Sequence, residues 1–201
     1  MPTEKESSSD SDDPIDANEF TSEETFYSTP AQRSVKEIIE ADCNDKSLRK
    51  YKEQLLGANP SGSVLVEPDN PKNVILKRIS LVSGDQIKHS INLPAIGDVI
   101  FSIKEGCSYR IRFEFVVQRE IVAGLKYAHK LSRLGVGVNK EVYMLGSYGP
   151  RPEPYTYETP SEEAPSGMLS RGKYRVHSLI TDDDKHNWLD WSWYIEIAKS
   201  W

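Results

Sequence analysis

The residues best suited to chemistry are two runs of carboxylates late in the chain. Glu162 and Glu163 form one run, and Asp182, Asp183 and Asp184 form the other. Such groups can ligate a metal ion or act as an acid and base pair. Catalytic carboxylates must converge on one point, however, whereas neighbours on a loop point apart. The favoured interpretation of both runs is therefore a solvated turn.

Other reactive side chains lack the spacing that catalysis or metal binding requires. The four histidines and two cysteines show no metal-ligand pattern: His89, His129, His177, His186, Cys43 and Cys107. Two distant cysteines favour free thiols in a reducing compartment. Ser147 lacks the strand–turn–helix context of a hydrolase nucleophile, and no phosphate-binding or dinucleotide motif occurs. These patterns predict a protein that is not an enzyme and needs no metal ion or cofactor.

The C-terminal segment concentrates the largest aromatic residues. All four tryptophans lie between Asn187 and Trp201. Trp191, Trp193 and Ile195 fall on every second position, which is the period of a half-buried strand. Two indoles in phase can fill a core or line a cavity for an apolar ligand, and core packing is the commoner role.

Charge is distributed unevenly along the 201 residues. The net charge is −6, but residues 1–25 hold nine acids and one lysine, which leaves +2 for residues 26–201. The acidic segment is predicted to be disordered, either as a solubilising tail or as an arm that meets a basic partner. The acidic balance argues against nucleic-acid binding. Without a signal peptide or an apolar run near ~20 residues, no stable membrane insertion is expected.

Residues 26–57 are predicted to form an arm that contains a helical hairpin. The sequence S-V-K-E, which begins at Ser34, is a capping box. Asp45 is a good N-cap for a second helix that ends at Gly57. Helices this short are marginal alone in water, so the pair needs a surface to pack on. The proline-rich residues 58–73 are predicted to be a linker.

Residues 74–201 are predicted to be all-β, because many short alternating segments are separated by turns without helical periodicity. Residues 99–103 and 108–118 alternate around the turn K-E-G-C and predict a hairpin. Residues 149–167 are expected to form a long, proline-rich loop. The other predicted strands are 74–82, 124–131, 142–145, 174–180 and 191–198. The pattern as a whole indicates a β-sandwich that follows a flexible N-terminal arm.

Six motifs are more specific. They are S-L-R-K-Y-K-E-Q-L-L-G (47–57), Q-R-E-I-V-A-G-L-K-Y (118–127), Y-M-L-G-S-Y-G-P-R (143–151), E-E-A-P-S-G-M-L-S-R-G-K-Y (162–174), T-D-D-D-K (181–185) and the W-S-W ending. In this order and spacing they resemble the Rho GDP-dissociation inhibitor family. The resemblance implies an immunoglobulin-like sandwich that takes up the geranylgeranyl group of a GDP-bound Rho-family GTPase. The protein would thereby extract the GTPase from membranes into the cytosol as a 1:1 complex. The resemblance also implies an arm that clamps the GTPase switch regions and slows GDP release.

The resemblance further implies roles for single residues. The implied prenyl pocket consists of Leu81, Phe101, Tyr109, Ile121, Val176, Trp191 and Trp193. Each of these residues could instead be ordinary sandwich core. For Ile111, Phe113 and Phe115 the core role is preferred. The implied switch-binding residues are Tyr27, Asp45, Ser47 and Tyr51, with helix capping as the alternative role of Asp45. The implied acceptors of the basic stretch before the lipidated cysteine are Glu162, Glu163, Asp182, Asp183 and Asp184. Residues 83–98 depart from the family in length and composition.

Two other functions fit parts of the sequence. A prenyl- or lipid-binding carrier would act on lipidated clients without controlling nucleotide, but it would not need the hairpin in residues 34–57. A sugar-binding sandwich would present exposed tryptophans as stacking platforms. Tryptophan fluorescence separates these classes, because buried indoles would respond to prenyl analogues and exposed ones to oligosaccharides.

Overall fold

Ten β-strands make up most of the computed structural model, which describes Glu37 and residues 45–48, 50–51, 64–95 and 98–201. In chain order they are β1 (Val74–Ser83), β2 (Gln86–Asn92), β3 (Ile100–Lys104), β4 (Ser108–Val117), β5 (Val122–Arg133), β6 (Val136–Tyr148), β7 (Arg151–Glu158), β8 (Glu162–Glu163), β9 (Gly172–Thr181) and β10 (Asn187–Ala198). No helix within these ranges is long and apolar enough to cross a membrane. The predicted all-β fold class is confirmed.

The strands form two five-stranded sheets that pack face to face. The first sheet has the order β2-β1-β4-β7, with β8 paired to β4, and the second has the order β3-β10-β9-β5-β6. In β4, Ile111, Phe113 and Phe115 are buried, whereas Arg112 and Glu114 point away from the core and form ion pairs. This alternation buries one face of each sheet and creates the sandwich core.

The hairpin predicted for residues 99–118 is wrong, although both of its strands exist. β3 pairs in parallel with β10 in the second sheet, whereas β4 pairs with β1 and β7 in the first. The turn between them carries the chain across the sandwich. Its Glu105 donates its N–H to the Ala198 carbonyl at 2.8 Å and accepts from Arg171 Nη2 at 2.7 Å. A short turn between two alternating segments does not distinguish a hairpin from such a crossing.

The long loop predicted for residues 149–167 is also wrong, because this region contains β7 and β8. β7 is an edge strand of the first sheet. Pro152 and Pro154 are tolerated there because an edge strand has unpaired backbone positions that need no N–H donor. Tyr155 and Tyr157 alternate inward and pack against the core. The other edge of this sheet is β2, which the sequence pattern did not predict.

Residues 64–73, the end of the predicted linker, lie against the sandwich. Gln118 is completely buried, and its Nε2 donates to the carbonyl oxygens of Asn70 at 3.1 Å and Lys72 at 2.8 Å. Its Oε1 accepts from the N–H of Glu67 at 3.0 Å. Arg119 adds a hydrogen bond from Nη2 to the Asn70 carbonyl at 2.7 Å. These side chains determine how the chain enters β1.

Asp45 has the geometry of a helix N-cap. Its Oδ1 accepts hydrogen bonds from the N–H groups of Ser47 at 2.8 Å and Leu48 at 3.1 Å, and residues 46–48 are helical. The predicted capping role of Asp45 is confirmed. Most of the predicted hairpin, including Ser34, lies outside the described residues, and so do the acidic residues 1–25.

Candidate functional site

A cavity of about 210 Å³ lies between the two sheets, next to β8. Its walls come from the inward positions of β4, β5, β9 and β10, where every second residue faces the core. The lining residues are Tyr109, Ile111, Tyr127, His129, Leu131, Val138, Asn139, Glu162, Glu163, Pro165, Val176, Trp193 and Ile195. Apolar side chains dominate, and the carboxylates lie on one side. Such a space suits an apolar ligand that carries a polar or charged end.

The floor of the cavity is built around Trp193, which is completely buried. Its Nε1 donates to Ser178 Oγ at 2.9 Å, and the same hydroxyl hydrogen-bonds with the hydroxyl of Tyr127 at 3.0 Å. Burial raises the pKa of Tyr127 well above its ordinary value, so the phenol stays protonated. Because Ser178 satisfies both polar groups, the rings of Trp193 and Tyr127 can present apolar surface to a ligand.

The rim of the cavity is organised by Glu162. Its Oε2 accepts from the hydroxyl of Tyr109 at 2.8 Å, and its Oε1 accepts from the hydroxyl of Tyr143 at 2.7 Å. Burial, together with the charge and hydrogen bond of Glu162, raises the pKa of both tyrosines far above the ordinary value. Both phenols therefore stay protonated and donate to the carboxylate. The neighbouring Glu163 is exposed.

His129 is the least satisfied polar group of the cavity. It is 8% exposed, and its Nδ1 has no hydrogen-bond partner among the described residues. Burial lowers the pKa of His129, and the negative charges of Glu162 and Glu141 oppose this shift only in part. The imidazole is therefore neutral at physiological pH and presents an unused polar atom inside the sandwich.

This lowered pKa gives an expected pH dependence of stability. The unfolded chain takes up a proton at His129 below about pH 6.5, whereas the folded chain resists it, so stability falls as the pH drops through this value. Between pH 7.5 and 5.5 we expect His129 to lower the free energy of unfolding of the wild-type protein by about 1 kcal/mol. The His129→Gln variant should not show this decrease. Urea unfolding at both pH values measures the effect. An identical pH dependence in the two proteins would contradict it.

Six of the seven predicted prenyl-pocket residues belong to the core or pack against it, and Ile121 does not. Tyr109, Val176 and Trp193 line the cavity itself. Phe101 and Trp191 lie outside the lining but pack against Trp193, with ring centroids 5.1 and 6.0 Å from that of Trp193. Two further residues lie outside the lining, the buried Leu81 on β1 and the half-buried Ile121 next to β5.

Several lining residues were not proposed from the sequence. Tyr127, His129 and Leu131 share one phase of β5, and this alternation within a predicted strand was the available signal. Ile111, assigned to the core, packs there and lines the cavity as well. Asn139 could not be recognised as a lining residue from the sequence. Its position at the cavity depends on the pairing of β5 with β6, which the sequence pattern does not specify.

The two acidic runs lie at different places. Glu162 and Glu163 line the cavity, whereas residues 182–184 follow β9 beside the beginning of β5. Asp182 is buried, and its carboxylate accepts from Trp188 Nε1 at 2.9 Å. Asp183 forms an ion pair with Lys126 at 2.7 Å. Asp182 therefore stabilises the turn after β9, and the described residues contain no cluster suited to a metal ion.

The predicted switch-binding residues lie apart from the cavity. Asp45, Ser47 and Tyr51 are exposed on the short helical segment, and Tyr27 lies outside the described residues. Both capping hydrogen bonds of Asp45 go to its Oδ1. Asp45 lies at the start of this helical segment, and Ser47 and Tyr51, four residues apart, lie on the same side of it.

Comparison with known proteins gives consistent matches over nearly the whole chain. The family model described as RHO protein GDP dissociation inhibitor matches residues 12–200. A probable rho GDP-dissociation inhibitor from Caenorhabditis elegans is 47% identical over 178 residues, which cover 86% of this chain and 92% of that protein. Rho GDP-dissociation inhibitor 1 is 46% identical in Rattus norvegicus and 45% identical in Homo sapiens, each over 190 residues that cover 92% of this chain and 91% of the relative.

Proposed function

Because the chain belongs to the Rho GDP-dissociation inhibitor family, we propose that it binds GDP-bound, geranylgeranylated Rho-family GTPases and takes their lipid into its cavity. The family regulates Rho GTPases and is not enzymatic, in agreement with the sequence-based expectation. The observation that carries the proposal is the largely apolar cavity between the sheets, with carboxylates on one side.

The lipid requires such a cavity for a physical reason. Exposing a twenty-carbon chain to water costs on the order of 10 kcal/mol, at roughly 0.8 kcal/mol per buried CH₂. A protein that removes the lipid from a bilayer must therefore offer equally apolar surroundings. The cavity measures about 210 Å³, whereas pockets for drug-sized ligands measure roughly 300–1,000 Å³. We therefore expect the sheets to separate near β8 when the lipid enters.

The arm supplies the control of nucleotide. Tyr27, Asp45, Ser47 and Tyr51 would contact the switch regions and hold them in the arrangement that retains GDP. Inhibition of this kind shifts a population of conformations and involves no catalysis. The exposure of the last three residues leaves their side chains accessible to a partner.

The acidic residues would receive the basic stretch that precedes the lipidated cysteine. Glu162 and Glu163 are best placed, because both lie at the cavity that would hold the lipid. Asp182, Asp183 and Asp184, at the turn after β9, would form a second acidic contact for the same stretch, although Asp182 itself is buried. The resulting 1:1 complex would reside in the cytosol. Exposed ion pairs contribute only about 0–1 kcal/mol each, so they steer association more than they hold it.

Nucleotide release tests this function. A geranylgeranylated Rho-family GTPase is loaded with a fluorescent GDP analogue, and its loss is followed with and without the full chain. We expect release to be slowed several-fold or more. If the chain binds the prenyl group but leaves the release rate unchanged, it is a lipid carrier without nucleotide control.

Two substitutions at Asp45 separate its capping role from contact with the GTPase. Asparagine caps helices as well as aspartate, so Asp45→Asn removes the charge and keeps the helix, whereas Asp45→Ala removes both. We expect both variants to inhibit GDP release about tenfold less well, because a hydrogen bond to a charged group is lost. Full inhibition by Asp45→Asn would mean that Asp45 acts only as a helix cap.

A further inference from the structure

β8 occupies an unusual position at the edge of the sandwich. β7 pairs with β4 from Val117 to Arg112 and then ends, and β8 pairs with the next part of β4, at Ser108 and Tyr109. On the opposite sheet the edge strand is β6. The two-residue β8 therefore stands where β4 of one sheet and β6 of the other border the cavity.

Glu162 on β8 connects the two sheets at this edge. Tyr109 belongs to β4 of the first sheet, and Tyr143 belongs to β6 of the second. Each tyrosine hydroxyl donates to a different oxygen of the Glu162 carboxylate, at 2.8 and 2.7 Å. Moving the sheets apart here must break at least one of these bonds. The three side chains are called the Glu162 latch below.

Further along the same edge, the sandwich is closed in a different way. The rings of Phe115, Tyr148 and Tyr155 contact one another across the sheets, with centroids 4.6–5.7 Å apart. The charged group at that contact is a cation, the Arg151 guanidinium 3.4 Å from the centroid of the Tyr155 ring, which would repel a cationic partner. The Glu162 latch is thus the part of this edge that a charged partner can compete for.

We propose that a cationic side chain of the client opens the cavity by taking the Glu162 carboxylate from Tyr109 and Tyr143. The inference rests on the proposed function, since it concerns how the lipid of the client gains entry. A guanidinium or ammonium group is a stronger partner for a carboxylate than a phenol is, because both partners are charged. The freed hydroxyls face a cavity in which Nδ1 of His129 is still unpartnered among the described residues.

The consequence is coupling between two parts of one client. A ligand shifts a conformational equilibrium only as far as its affinities for the two states differ. The cation favours the open state because Glu162 is then available, and the lipid favours it because the cavity is then wide. Each part therefore strengthens the binding of the other by the same factor. A lipid without a basic neighbour binds less well, which makes Glu162 a specificity-determining residue.

Two short peptides that end in a geranylgeranylated cysteine methyl ester test the coupling. One carries arginines before the cysteine, and the other carries glutamines at the same positions. Affinity for the full-length chain is measured by tryptophan fluorescence, because Trp193 lines the cavity. We expect the wild-type chain to bind the arginine peptide at least about tenfold more tightly, since each hydrogen bond to a charged group has that order of effect.

Substitutions in the latch separate opening from simple charge attraction. We expect Tyr109→Phe with Tyr143→Phe to bind the glutamine peptide roughly tenfold more tightly than wild type, because the latch no longer opposes opening. The single Tyr143→Phe variant should show part of this gain. The matched control is Glu163→Gln, which removes the adjacent exposed carboxylate but leaves the latch intact and should reduce the arginine preference only a few-fold.

The outcomes distinguish this inference from the proposed function. Equal binding of the glutamine peptide by wild type and both tyrosine variants overturns the latch and leaves the lipid cavity in place. An equal loss of arginine preference in Glu162→Gln and Glu163→Gln also overturns it, because the rim would then act only through charge. If wild type and all variants fail to bind either peptide, the latch and the proposed lipid site are both wrong.

Discussion

Replacing Trp193 with alanine is expected to destabilise the protein by about 3–5 kcal/mol, the cost of removing a buried large aromatic side chain. Trp193 is completely buried, and its ring contacts those of Phe101 and Trp191. The substitution also removes the hydrogen bond that Trp193 Nε1 donates to Ser178 Oγ. The free energy of unfolding in urea measures the effect.

Trp201 provides a matched control for this expectation. Trp201 is 48% exposed and has Lys88 Nζ 5.0 Å from the centroid of its ring. Trp201→Ala should therefore cost less than about 1 kcal/mol. If both substitutions lowered the free energy of unfolding by a similar amount, Trp193 would not be central to the packing of the core.

Filling the cavity should weaken lipid binding strongly without removing the fold. Val176 is 2% exposed and lines the cavity, and phenylalanine has about four more carbon atoms. Displacing four carbons of the lipid costs about 3 kcal/mol, or roughly a hundredfold in affinity. We expect Val176→Phe to fail to extract a geranylgeranylated GTPase from vesicles at concentrations where wild type succeeds.

Val74→Phe controls for the strain of a larger side chain in the core. Val74 is also a valine at 2% exposure, but it lies on β1 outside the cavity lining. Overpacking should cost both variants about 1–3 kcal/mol of stability. We expect Val74→Phe to extract the GTPase from vesicles and Val176→Phe to fail to do so. Equal extraction by both variants would mean that the lipid binds elsewhere.

The sandwich could be predicted from the sequence because each strand carries its own alternation. Residues 191–198 show it clearly, since Trp193, Ile195 and Ile197 are buried and Glu196 between them is exposed. Strand partners were harder, because alternation does not specify a neighbour. β3 joins β10 and β4 joins β1, although only a short turn separates β3 from β4.

The candidate site could be predicted only in part, for a related reason. The family resemblance predicted Tyr109, Val176 and Trp193 as pocket residues, and the structure places all three in the cavity lining. The bridge from Glu162 to Tyr143 depends on how β8 and β6 approach each other in space. Nothing in the local sequence encodes that approach. The two prolines of β7 also concealed the strand that leads to it.

The fold explains why lipid and charge should be recognised together. β8 continues the first sheet where β7 has ended, and its Glu162 lies at the cavity beside the exposed Glu163. An apolar floor around Trp193 and a carboxylate rim are therefore adjacent parts of one site. A client with a prenyl group next to basic residues would match both parts at once.

Sedimentation of vesicles that carry a geranylgeranylated, GDP-bound Rho-family GTPase tests the central claim most directly. Full-length chain is added in excess, and the GTPase is measured in pellet and supernatant. We expect the GTPase to move into the supernatant as a complex with the chain. A GTPase that stays with the vesicles at every concentration of the chain would contradict the account.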